Sequence, residues 1–458
     1  MPRRTVVVDP NFSRKLKELR EQQGVSLRRL GQMIHCSHGY LWDLETGTKR
    51  PSVSVAVLLD GALNAGGRLS AMVQEMSADS GLQPVDVDST GAGAPTGLQF
   101  APDWRHGIDV AVDLWRGDMQ RRDLLRRVGF SATAFLPPAM RWLMASFDEQ
   151  PSGTGERLIG IPDVETVRRM TSTYRTLDNQ FGGGHIRESL VRFLDGDVTD
   201  LVNGRYDAAT GRQLLSAVAE MTQLAGWASY DAGMHGLAQR YLIQALRLAA
   251  GAGDRALGAE ILAAMSHQAA YLRASDEAVD LARAAGRAAT EVGIAAIQAE
   301  SAVLEAQGYA VGGNEAACAT ALSRAESIFD KADRSSEPQW IGYFDESYLA
   351  AKFGHCFTAL GRGDLAQRFA TRSLDMDGRQ YARGRQFNLV LLAVAHVQTG
   401  EVEEAARVGV EAVDAVEGLH SSRARDYLAD LADRLSKHAG LPAVREFTER
   451  AAPLLQSV

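Results

Sequence analysis

The chain has 458 residues, a net charge of −8, and three cysteines without a CxxC pair. That length allows about three domains and a large core, and no apolar run is long enough to span a bilayer. No signal-peptide pattern opens the chain, and scattered Cys36, Cys318 and Cys356 read as small core residues, so a cytoplasmic protein is predicted. Residues 1–80 carry eleven Lys and Arg against eight Asp and Glu, which leaves −11 on the remainder. An acidic body repels a polyanion, so contact with nucleic acid is expected only in the N-terminal part.

Within residues 1–76, Phe12, Leu16 and Leu19 give a first helix, with Arg14, Lys15, Lys17 and Arg20 on its wet side. Ser26 is a good N-cap for a second helix carrying Leu27, Leu30 and Ile34 at i, i+3 and i+7. Cys36 falls in a tight turn, and Ser37 can cap a third helix running to about Glu45, ended by Gly47. Leu41 and Leu44 face the small core, which leaves His38, Gly39, Tyr40 and Asp43 outward. Trp42 is expected to pack against the next helix or a partner subunit. Val53, Val57 and Leu58 begin a fourth helix reaching about Leu63. The stretch Thr5–Val8, after Arg3 and Arg4, is read as a basic arm or a frayed end.

This layout resembles the Xre/lambda-repressor-type helix-turn-helix domain, on Leu19-Arg20, Gly24, Ser26, Leu27, Leu30, Ser37, Leu41, Leu44-Glu45, Gly47 and Pro51. The resemblance implies a third helix lying in the DNA major groove. Base reading is then expected from His38, Gly39, Tyr40 and Asp43, with Arg28 and the cap residue Ser37 at the helix starts. Thr48, Lys49 and Arg50 would grip phosphates. Gly39 costs the reading helix about 1 kcal/mol relative to Ala, and Arg28-Arg29 depart from the family's usual polar-acidic pair. So small a reader is expected to work as a homodimer on a pseudo-palindromic operator.

Residues 77–97 lose all apolar periodicity and read as a flexible linker. Residues 98–205 are predicted to be a helical connecting or dimerisation region. Its first helix spans about 108–128 with Val112, Trp115, Met119 and Leu125 inward, and ends in Arg121, Arg122, Arg126 and Arg127. Pro137-Pro138 opens a short helix, another covers about 164–177, and the run FGGGH at 181–185 breaks the chain before the next.

From residue 206 to 458 the chain repeats. A helix, a Gly-containing turn and a helix with Ala near its start recur, with Ala238, Ala278, Ala317, Ala366 and Ala405 separated by 40, 39, 49 and 39 residues. A second small residue follows seven later in most copies, at Ala245, Ala285, Ser373 and Ala412. Small residues there let helices approach closely, which predicts a tetratricopeptide-like α-solenoid and an all-α fold class overall. The long interval holds an insert, SSEPQWIGYFDES at 335–347, read either as a lid over a groove or as the packed start of a longer helix.

The whole chain resembles actinobacterial regulators with an Xre-type reader and a tetratricopeptide-like domain, a group implicated in antibiotic production and sporulation. The likeness rests on LWR at 114–116, DNQFGGGH at 178–185, LAGW at 224–227, YDAG at 230–233, HGLAQRY at 235–241 and PQWIGYF at 338–344. It implies a transcription regulator whose double-stranded DNA binding answers to a small molecule, peptide or protein held by the solenoid. Expected ligand-lining residues are Gln223, Trp227, Tyr230, His267, Tyr271, Trp340, Tyr343, Phe344 and Asn388, because mixed aromatics and amides suit a peptide or polycyclic molecule. The alternative is a protein-binding scaffold with a minor DNA role. No P-loop lysine, Gly-x-Ser-x-Gly elbow or metal-spaced histidine pair is present, so neither catalysis nor a cofactor or metal is expected.

Overall fold

A computed structural model describes residues 5–8, 11–34, 38–49, 51, 53–63, 65, 68–69, 72–76, 97–120 and 128–456. Ser37, Arg50, Cys36, the arginines at 121, 122, 126 and 127, and residues 77–96 of the expected linker lie outside the described residues. The fold is all-α apart from two small β ribbons, and divides into two compact units, Met1–Ala92 and Gly93–Val458. Among the described residues no helix is long and apolar enough to cross a membrane.

The first unit holds α1 (Phe12–Gln22), α2 (Leu27–Met33), α3 (His38–Glu45) and α4 (Val53–Ala62). Ser26 caps α2, its Oγ accepting from the Arg29 amide at 3.2 Å. Phe12, Leu16, Leu19, Leu30, Leu41 and Leu44 are all at least 98% buried and form the centre of one core. Thr5–Val8 is not a loose arm: as β1 it pairs antiparallel with β2 (Val73–Met76), Val8 opposite Val73. Its β-branched run supplies the ladder, and Val73 is buried in the same core.

The second unit opens with α5 (Trp104–Gln120) and α6 (Leu136–Leu143), then α7 (Ile161–Phe181), α8 (Gly183–Phe193) and short α9 (Thr199–Val202). Gly153–Thr154 (β3) pairs with Arg205–Tyr206 (β4). Six antiparallel helix pairs follow: α10 (Ala208–Asp231) with α11 (His235–Ala252), α12 (Arg255–Tyr271) with α13 (Ser275–Val292), and α14 (Ala295–Val311) with α15 (Glu315–Lys331). The others are α16 (Glu346–Ala359) with α17 (Gly363–Ser373), α18 (Ala382–Thr399) with α19 (Val402–Asp414), and α20 (Ser422–Leu435) with α21 (Pro442–Gln456). Ile108, Leu114 and Trp115 of α5 lie in one continuous core with Leu215, Leu246, Leu262 and Leu304. The apolar face of α5 is therefore spent inside its own unit.

The repeat has a backbone signature. The turn inside each of the first five pairs places one residue in the left-handed region: Gly233, Arg273, Gly313, Gly361 and Gly400, spaced by 40, 40, 48 and 39. Four are glycine, which adopts φ near +75° without strain; Arg273, at φ +62°, pays for the same turn with a Cβ. The structure also corrects one small-residue position. Ala317 is half-buried, and Cys318 takes the packed place, fully buried like Ala238, Ala278, Ala366 and Ala405. Seven residues on, Ala325 then completes the second small-residue set, also fully buried.

The FGGGH break is a docking point. The Gly182 φ is +86°, and a Cβ on Gly183 would come within 2.7 Å of the Ala228 backbone. Gly184 donates to the His420 carbonyl at 2.9 Å, His420 donates to the Phe181 carbonyl at 2.7 Å, and the Gly183 amide reaches Asp231 at 2.8 Å. The α7–α8 corner is thus clamped to α10 and to the loop before α20.

Candidate functional site

In the first unit, α3 buries Leu41 and Leu44 in the core and leaves one face exposed. His38 and Gly39 are exposed, Tyr40 and Asp43 half-buried, and Arg28 of α2 is exposed. Trp42 is 55% exposed, so it is not buried against α4. Gly47, at φ +74°, ends the helix and leaves Thr48 and Lys49 on the surface beyond it. Lys49 Nζ lies 2.8 Å from Asp43 Oδ2 and 5.9 Å from the Tyr40 ring centre. The hydrogen bond to Asp43 raises the Lys49 pKa, and the pair masks the carboxylate that would otherwise repel a phosphate.

Arg20 is not on the wet side of α1. It makes a bidentate pair with Glu45, Nε to Oε1 at 2.6 Å and the second nitrogen to Oε2 at 2.9 Å, and donates to the Val25 carbonyl at 3.1 Å. The two side chains are 14% and 6% exposed. This pair ties the last turn of α3 to α1 and fixes how α3 is presented.

In the second unit, a cavity of about 250 Å³ opens inside the helical stack. Among the described residues, every pair's first helix except α14's near-terminal Gln307 contribution sends at least two side chains to its wall, and no second helix sends any. The spacing explains this. Glu260, His267 and Tyr271 sit at i, i+7 and i+11 of α12, and Tyr348, Lys352 and His355 at i, i+4 and i+7 of α16, each set on one helical face. Residues of the insert, Trp340, Tyr343 and Asp345, close one side.

Seven of the nine expected ligand residues line this space: Gln223, Trp227, His267, Tyr271, Trp340, Tyr343 and Asn388. Tyr230 and Phe344 do not. Tyr230 is buried behind the wall, its ring centre 4.4 Å from the Arg423 guanidinium carbon. Phe344 is fully buried and packs edge-on against Phe329 and Tyr348. Asn388 has its amide engaged already, donating to the Ser373 carbonyl at 2.9 Å.

The charged groups of the cavity were not among the expected residues. Tyr343 Oη donates within 2.7 Å of Glu260 Oε1 and 2.9 Å of Glu300 Oε2, so two buried carboxyls meet at one hydroxyl. Burial, then the neighbouring Glu300, pushes the Glu260 carboxyl well above its ordinary range; burial raises Glu300 as well. Burial lowers Lys352 to about 7, and burial with the charges of Lys352 and Arg423 lowers His355 to about 3. Arg383 holds Asp178 in a bidentate pair at 2.9 and 2.7 Å. A readable signal did exist: Glu260, Glu300 and Lys352 interrupt the apolar stripes of Ala- and Leu-rich helices, where a charge needs a reason.

Comparison with known families agrees with the first unit's geometry. Residues 11–71 match the helix-turn-helix domain family, and this segment is a helix-turn-helix domain of the DNA-binding kind. A search of curated proteins returned no match.

Proposed function

We propose that the protein is a sequence-specific transcription regulator whose DNA binding is set by a ligand held in the cavity of the helical stack. The observation that carries the reading is α3: two leucines anchor it, the Arg20–Glu45 pair fixes it, and exposed His38 and Gly39, with half-buried Tyr40 beside them, form the face that would meet base edges. Exposed Arg28 would join the base reading, and exposed Thr48 and Lys49 would grip phosphates. One such module makes few base contacts, so the reading includes a homodimer on two half-sites. The cavity supports the sensor half, since an aromatic-walled space with unpartnered polar groups is what a small-molecule site requires. The resemblance to regulators of antibiotic production and sporulation supports a target of that class. No step of this reading requires catalysis.

The test is a gel shift with DNA from the protein's own promoter region at several salt concentrations. A specific complex is expected, with affinity falling steeply as salt rises. Lys49→Ala lowers the salt slope by about one, and His38→Ala with Tyr40→Ala relaxes sequence preference. Absence of any specific complex overturns the regulator reading in favour of a protein-binding scaffold.

A further inference from the structure

The geometry points to a particular ligand chemistry, deepening the sensor half of the reading above: we propose that the cavity binds a small aromatic carboxylic acid, its carboxylate seated on Arg423 and Lys352 and its ring against Trp227 and Trp340.

Arg423 is the group most in need of a partner. It lines the cavity, is 6% exposed, and makes no hydrogen bond to any described residue. Its guanidinium lies 4.4 Å from the Tyr230 ring centre and 4.7 Å from that of Phe387. Those rings stabilise the charge but take none of its five N–H groups. The nearest carboxylate oxygen is Asp231 Oδ1 at 3.8 Å, and Asp231 is already engaged by the Gly183 amide, Ser421 Oγ and Arg383. Arginine cannot shed its proton, so burial without hydrogen bonds leaves a standing deficit that a bound anion removes.

Lys352 repeats the pattern. It is 4% exposed, its one hydrogen bond to a described residue is 3.4 Å long, to Gln307, and no described carboxylate lies within ion-pair distance. His355, one turn further along α16, stacks on Tyr427 at 5.9 Å, and Tyr427 is one turn from Arg423 on α20. The two cations therefore face a common space, and burial, then the charges of Lys352 and Arg423, lower the pKa of both His355 and His267. Among the described residues, no carboxylate that lines the cavity lies within ion-pair distance of either cation. Asp178 is held by Arg383, and burial with the neighbouring Glu300 holds the Glu260 carboxyl well above its ordinary range.

Why an aromatic acid rather than another anion follows from the walls. Trp227 and Trp340 are half-buried and turn ring surface into the cavity. A planar carboxylate matches the guanidinium fork in a way that a point charge does not. Glu260 Oε2 is buried with no hydrogen-bond partner among the described residues, and suits a hydroxyl or N–H elsewhere on the ligand.

The test uses the full chain without DNA, with 2-naphthoate, 2-naphthamide, 2-naphthylmethylammonium and inorganic phosphate as probes, read by tryptophan fluorescence and thermal shift. Naphthoate is expected to quench fluorescence and raise the melting temperature. The amide should bind at least about tenfold more weakly, consistent with a lost charge-assisted pair, and the ammonium and phosphate should not protect. Lys352→Met, which removes a buried charge and so folds at least as well as the parent, should weaken naphthoate about tenfold. Arg423→Gln should weaken it further; where that variant fails to fold, Lys352→Met decides alone. Equal binding of acid and amide, no binding of naphthoate, or an unchanged affinity in Lys352→Met overturns the proposal. Because no DNA enters the assay, that failure leaves the reader untouched, and a failed gel shift leaves this result standing.

Discussion

Glu45→Ala is the sharpest perturbation of the reader. The bidentate Arg20–Glu45 pair is the described side-chain link between α1 and the end of α3, with the two side chains 14% and 6% exposed. Truncating one partner of a fully buried pair costs about 3–5 kcal/mol. Arg20 keeps its bond to the Val25 carbonyl and some contact with water, so a loss of about 2 kcal/mol is expected here. A unit this small rarely has more than roughly 3–5 kcal/mol in total, so that loss is a large share. Hydrogen exchange on the full chain reads it directly: amides of α1 and α3 should exchange roughly 30-fold faster, the factor that 2 kcal/mol represents. Amides of the helical stack should be unchanged. Joining Arg20→Met to Glu45→Met should recover most of the protection, because the uncompensated charge is gone. Exchange within twofold of the parent in Glu45→Ala would refute the claim that this pair positions the reading helix.

Three further outcomes are expected. Asp43→Asn removes the carboxylate that sits 2.8 Å from Lys49, so non-specific DNA affinity should rise, measured by anisotropy across a salt series. Arg273→Gly relieves the left-handed turn at φ +62° and should stabilise the second unit by about 1 kcal/mol, read as a higher denaturation midpoint. For Lys352, burial lowers the folded pKa from 10.5 to about 7, against Glu300, which attracts the charge, and Arg423, which repels it; His355 and Cys356 are its other titratable neighbours. Between those pH values the unfolded chain holds a proton that the folded one does not, so this group's contribution to stability rises with pH across that window. The advantage of Lys352→Met over the parent should thus be largest below pH 7 and shrink towards 10.5, checked by denaturation at several pH values.

The helix-turn-helix was legible because its code is local: a cap at Ser26, leucines at helical spacing, a glycine stop at Gly47. Arg20 was misplaced because Glu45 is 25 residues away, and no periodicity reveals a partner at that distance. The repeat was visible through its alanines, yet the third copy slipped by one residue. Cys318 fills the small-residue place, and an adjacent alanine masked it. Thr5–Val8 looked like an arm because the strand that pairs with it lies 65 residues further on. In the cavity the aromatic lining was readable as composition. Which rings face inward was not: Tyr230 and Phe344 are as aromatic as their neighbours, and the rotation of one helix and the path of the loop before another send them behind the wall. The charged residues were the larger omission, since Arg423, Lys352 and Glu260 converge only when α20, α16 and α12 are stacked.

The most direct test of a ligand-controlled reader needs no knowledge of the ligand. Ala351 is half-buried and lines the cavity, so Ala351→Trp fills the space that a ligand would occupy. Affinity for the specific promoter fragment should be measured for both proteins at one salt concentration. A change of at least about fivefold is expected, the lower end of ordinary allosteric coupling, with non-specific DNA binding unaltered. A folded Ala351→Trp protein that no longer binds 2-naphthoate, yet holds the promoter fragment within twofold of the parent, would contradict it.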